Sequence, residues 1–107
     1  MNGLFIQYDE LELLELFLRE PVNILDDESG EYMYTYEDGN KFKLILMIGT
    51  YEKMCRLSLT YNDFDVFDGE FRNVTSLEKK GDSLFINVEG QEAVRIKFSK
   101  QVGIELL

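Results

Sequence analysis

Histidine and tryptophan are missing from this 107-residue chain, and cysteine and proline occur once each. Each absence removes a class of chemistry. Ordinary zinc sites draw on His and Cys ligands, so none can be assembled here. Ser-His-Asp and Cys-His nucleophile systems fail for want of their base. One Cys forms no internal disulfide, which excludes a disulfide-stapled secreted scaffold. There is no Walker loop and no dinucleotide fingerprint, and the eight glycines stand singly. Long apolar runs are absent too. The longest, residues 44–48, is far too short to span a bilayer. The first twenty residues are broken by Asp9, Glu10, Glu12, Glu15 and Glu20, which no signal peptide tolerates. The chain therefore reads as cytoplasmic, with no membrane partner. Positive charge is also scarce: 11 Lys and Arg stand against 21 Asp and Glu, a net charge of −10. That sign argues against direct binding to nucleic acid, which begins with a positive field at phosphate.

What is present suits one ordinary domain, residues 1–107. The chain is 45% hydrophobic, and its fourteen aromatic residues, eight Phe and six Tyr, favour strands. The charge is segregated. Residues 9–38 hold eleven acids and a single base, Arg19, so the whole net charge lies in that segment; the remainder balances ten acids with ten bases. Solvated acids on a helix and a loop are common, but segregated acidity also describes a face with a sign.

The spacing predicts a helix over residues 9–20. Asp9 caps it, Glu12 follows three residues later as in a capping box, and Leu11, Leu14 and Leu18 form the apolar stripe, widened by Leu13 and Phe17. Pro21 closes the helix, and Arg19 in its last turn complements the dipole. Residues 4–7 read as a short strand or docked arm, and 26–30 as an acidic loop. Alternation then predicts strands: Tyr32, Tyr34 and Tyr36 on one face; a turn at Asp38-Gly39, where positive φ is tolerated; Phe42 to Ile48; and Cys55 to Tyr61. After an acidic connection over 62–70, further strands are expected over 71–78, 84–88, 94–98 and 102–106. The expected fold is α+β: one N-terminal helix packed on a mainly antiparallel β-meander of about six to eight strands.

Few candidate sites arise. Asp63, Asp65, Asp68 and Glu70 form an oxygen-rich cluster, but their spacing departs from the EF-hand loop and Phe64, Val66 and Phe67 look structural. They remain the weak metal candidate, and no cofactor is indicated. Cys55 sits on the apolar face of its strand with no base to activate it. No catalytic residue is assigned, and the chain reads as a non-enzyme. The partner-binding candidates come from the acidic segment: Asp26, Asp27, Glu28, Glu31, Glu37 and Asp38, framing Tyr32, Tyr34 and Tyr36. Tyrosines framed by carboxylates suit a basic partner. Period-two alternation favours a core-facing row, with Glu31, Met33, Thr35 and Glu37 turned to water.

The segments FDVFDGEFRNVTSLEKKGDSLFINVEG and AVRIKFSKQVGIEL, preceded by a short acidic helix, resemble the small, mostly-β immunity proteins of bacterial polymorphic toxin systems. The likeness covers residues 55–106, about half the chain. It implies a cytoplasmic protein that binds one cognate toxin domain and blocks its active site or cleft, with no catalytic residue carried over. Many such toxins are nucleases with a positive cleft, so the implied partner is a protein with a basic surface. A phage-type inhibitor or nucleic-acid mimic acting on a host enzyme shares the acidic surface. A calcium-dependent module would instead use the acids of 63–70.

Overall fold

The computed structural model describes residues 5–24 and 30–107. Asp26, Asp27 and Glu28 of the acidic loop, and Leu4 of the opening segment, lie outside the described residues.

The helix α1 spans Glu10–Phe17. Asp9 caps it as expected, its Oδ1 accepting the Leu11 amide at 2.8 Å. The end differs from the expectation. Leu18 turns left-handed at φ 61° and donates its amide to the Leu14 carbonyl at 2.8 Å, so the helix stops at Phe17, four residues before Pro21, and Arg19 falls beyond its last turn. Glu12 does not serve a capping box: its Oε1 accepts the backbone amide of Lys79 at 3.4 Å. The apolar stripe is also rotated. Leu13, Leu16 and Phe17 are buried, whereas Leu11 and Leu18 are 61% and 73% exposed.

Nine strands among the described residues form two antiparallel sheets. The first runs β1 (Val22–Asn23), β2 (Glu31–Glu37), β3 (Phe42–Gly49), β4 (Met54–Tyr61) and β5 (Phe64–Arg72), in that order. The second runs β6 (Val74–Lys80), β7 (Ser83–Val88), β8 (Gln91–Lys97) and β9 (Gly103–Leu106). Each sheet is a meander, and with the helix the fold is α+β. The nine strands exceed the six to eight expected because β1 has only two residues and the alternation of β5 is broken by a register shift opposite Leu59 and Thr60. Residues 62–70 are not a connection. Asn62 and Asp63, at φ 50° and 70°, make a two-residue hairpin turn, and β5 runs unbroken from Phe64 to Arg72. The chain changes sheets at Asn73 alone, in a left-handed conformation that Asn tolerates.

The β2–β3 hairpin forms where expected, but not for the expected reason. Its left-handed residue is Lys41, φ 73°, and not Gly39. Asp38 organises the turn: Oδ1 accepts the amides of Asn40 (2.8 Å) and Phe42 (3.1 Å). Its Oδ2 accepts the amide of Val102 at 3.3 Å, tying this hairpin to the segment that leads into β9.

One core joins the layers. Leu44, Leu46, Ile48, Cys55, Leu57 and Leu59 of the first sheet share a buried cluster with Val74, Leu77, Leu84, Ile86, Val94 and Ile96 of the second. The helix adds Leu13, Leu16 and Phe17, and the N-terminal arm adds Ile6. That arm bridges the sheets: Ile6 donates to the Thr50 carbonyl at 3.1 Å, and Gln7 pairs in parallel with β6. Pairing there covers an edge that would otherwise be open. No helix among the described residues is long and apolar enough to cross a membrane.

Candidate functional site

The tyrosine row lies on the inner side of the first sheet. Tyr34 is only 2% exposed and packs on Phe17 with ring centroids 5.1 Å apart. Phe17 meets Phe98 edge-on at 5.1 Å, and Tyr36 meets the same ring at 5.2 Å. Tyr32 and Tyr36 are half-buried against the core. Burial pushes the Tyr34 phenol well above the usual tyrosine range, and the neighbouring Tyr8, Glu10 and Glu20 push the same way. Aromatic contacts of this kind fix the helix to the sheet.

The acids around the row divide by role. Asp38 is committed to three backbone amides. Glu37 is exposed and stands opposite Lys43 in the β2–β3 register. Glu31 is half-buried at the start of β2. With the tyrosines turned inward, the outward side of β2 presents Met33 and Thr35. Met33 belongs to a cross-strand row, Val22–Met33–Met47–Arg56–Glu70, whose apolar end is open and whose far end is charged.

The acids of 63–70 are spread along β5 and its turn. Asp68 is held by two contacts from the Arg56 guanidinium, 3.2 and 3.0 Å, which keep its carboxyl below the usual range. Glu70 is paired with Arg72. Among the described residues no group of three or more His, Cys, Asp or Glu is placed to hold a metal ion. Cys55 is fully buried, and burial alone pushes its thiol up to about 12, so it is inert as a nucleophile at neutral pH.

A groove that sequence reasoning did not assemble lies between α1 and β2. Glu10, Leu11, Leu14, Glu20, Pro21 and Tyr34 line it, with a volume of about 280 Å³. Its origin is the rotated stripe. Because Leu13, Leu16 and Phe17 take the core, Leu11 and Leu14 are left to line this depression. The chain reversal through Leu18 then brings Glu20 and Pro21 back beside the helix. On the opposite flank, Glu12 and Glu15 face β6, where Lys79 contributes an amide to the first and its ammonium, at 3.7 Å, to the second. Glu10 and Glu20 have no such base, and Arg19 pairs with neither among the described residues. The available signal was Glu10 and Glu20 flanking a helix with more apolar positions than one face can bury.

The outer face of the second sheet is the electrostatic opposite. Lys80 meets Glu92 at 2.6 Å, and Glu105 takes Arg95 at 3.3 Å and Lys97 at 4.0 Å. Lys80 and Arg95 both lie over the Phe85 ring. Asn87 donates to Ser76 and Glu78 at 2.8 and 2.9 Å. Charge on that face is compensated within the protein.

No family model matches the sequence, and no curated protein matches it. Among solved structures, the chain is similar to one from a contact-dependent growth inhibition toxin–immunity protein complex of Klebsiella pneumoniae 342. Identity is 15%, the match covers 94% of both chains, and the TM-score is 0.78. The likeness extends the one read from residues 55–106 to the fold of nearly the whole chain.

Proposed function

We propose that this chain is the immunity component of a toxin–immunity pair, a non-enzymatic protein that binds one toxin domain in the cytoplasm and blocks its active site or cleft. The observation that carries this reading is the fold likeness over 94% of both chains to a component of a toxin–immunity complex. Two features favour the inhibitor over the toxin role. The chain has no histidine, the commonest general base, and its net charge of −10 repels phosphate. The same charge suits a basic, nuclease-like toxin, whose positive cleft an acidic surface would occupy and whose approach it would steer.

The test starts from the gene beside this chain's own, which the reading expects to encode the toxin domain. Co-expression is expected to restore growth, and the two proteins are expected to purify as a one-to-one complex. In vitro, toxin activity should fall linearly and vanish at one equivalent of this chain. Persistent growth arrest despite folded, expressed protein overturns the reading. Silencing of excess toxin by a small fraction of an equivalent would instead mean turnover and overturn its non-enzymatic part.

A further inference from the structure

We infer that the groove between α1 and β2 receives a cationic side chain of the toxin, an arginine or lysine, whose charged end lies between Glu10 and Glu20 and whose aliphatic stem lies on Leu14 and Pro21. The inference deepens the immunity reading and rests on it. It names one docking point and the chemistry that fits.

Three observations converge on it. First, the groove joins charge to apolar surface in the arrangement a long basic side chain needs, since such a side chain buries its methylenes and keeps its cation among oxygens. Second, neither carboxylate is paired with a base among the described residues, although Glu12 and Glu15 on the β6 flank of the helix both find Lys79. Both line the same groove, Glu10 from the helix and Glu20 from the segment that follows it. Two carboxylates lining one groove favour a cationic group from outside. Third, a volume of about 280 Å³ lies just below the roughly 300–1,000 Å³ of small-molecule sites, which suits one side chain of a protein partner. The exposed Leu11 in the groove lining offers the apolar contact that a charge pair alone does not supply.

The outward row ending at Val22 and Met33 is a competing surface, but it carries no charge pattern that selects an occupant. The groove does.

The experiment measures association of this chain with the toxin domain encoded beside its gene, at several salt concentrations. The double variant Glu10→Gln/Glu20→Gln is expected to weaken binding about tenfold or more and to flatten the salt dependence of association. The double variant Glu92→Gln/Glu105→Gln removes the same formal charge from the self-paired face and is expected to leave both within about twofold. All four positions are on the surface, and thermal melting checks that each variant folds. Amide exchange on the unaltered complex provides a readout without substitution: residues 10–21 should gain protection. Binding that is unchanged in the groove variant, or exchange protection confined elsewhere, overturns the inference and leaves the immunity reading standing. Failure of the unaltered chain to bind overturns both. Groove protection that grows with concentration of the free chain would mean that a second copy fills it, and would also overturn the inference.

Discussion

Glu20 beside the helix and Glu92 on β8 are the same chemical group in opposite circumstances. Glu92 meets Lys80 at 2.6 Å, within a sheet face whose carboxylates and cations are satisfied by one another. Glu20 shares a groove with Glu10 and with exposed leucine, and among the described residues no base pairs with either. The net charge of −10 is therefore not spread as a uniform coat. Over the second sheet it cancels at contact distance, and over the helix it projects outward. At physiological ionic strength, screening acts over about 8 Å, so a partner senses the local face more than the total. The lesson is that two regions of equal acid content can differ completely in what they offer a partner, and that pairing decides which.

The sharpest way to break this contrast is through the helix itself. Phe17 holds the helix to Tyr34 and Phe98, with centroids 5.1 Å from each. Phe17→Ala should cost about 3–5 kcal/mol, measured by urea unfolding, and should loosen the groove along with the core. Leu11→Ala, on the same helix but turned to solvent, should stay within about 0.5 kcal/mol. Equal costs at the two positions would mean that the leucine stripe is core and that no outward groove exists.

A second test separates acids within the one-signed segment. Asp38 accepts three backbone amides, one of them from Val102 across the fold. Asp38→Ala should cost about 1–3 kcal/mol by the same measurement, because it orphans those donors. Toxin affinity at a temperature where the variant remains folded should not change. A loss of affinity without loss of stability would move Asp38 from scaffold to interface.

The sequence made the inner strands easy to read because each has one buried face. Leu44 and Leu46 flank half-exposed Ile45, and Val94 and Ile96 flank half-exposed Arg95, so period two is visible. Strand β5 was not legible for the converse reason. It is an edge strand whose inward side, Phe67, Gly69 and Phe71, is only half-buried, and its register shifts opposite Leu59 and Thr60, so residues 64–70 look like a loop. The helix posed a different problem. Leu11, Leu13, Leu14, Leu16, Phe17 and Leu18 outnumber what one face of eight residues can bury. The choice among them is made by Tyr34 and Phe98, which are distant in sequence. The groove followed from that choice and could not be assembled without it. Charge segregation was legible as a sum but not as a surface, since Lys79 from β6 compensates Glu15 across the fold.

The smallest expected effect tests the pairing argument most directly. Glu92→Gln and Glu20→Gln remove one formal charge each and leave the same net value. At Glu92 the loss frees Lys80, whose pKa is raised chiefly by its hydrogen bond to Glu92, so the variant should lower that pKa toward the ordinary lysine value. Exposed pairs of this kind contribute little to folding, so the unfolding midpoint should not move measurably. Association with the toxin should also be unchanged, because the pair presents almost no field beyond its own dipole. Removing Glu20 leaves no compensating cation behind, and association should slow, most visibly at low salt. If the two substitutions slow association equally, total charge steers the encounter and the distinction between paired and unpaired faces carries no functional weight. If only Glu20 matters, the sign of this protein is a property of one groove.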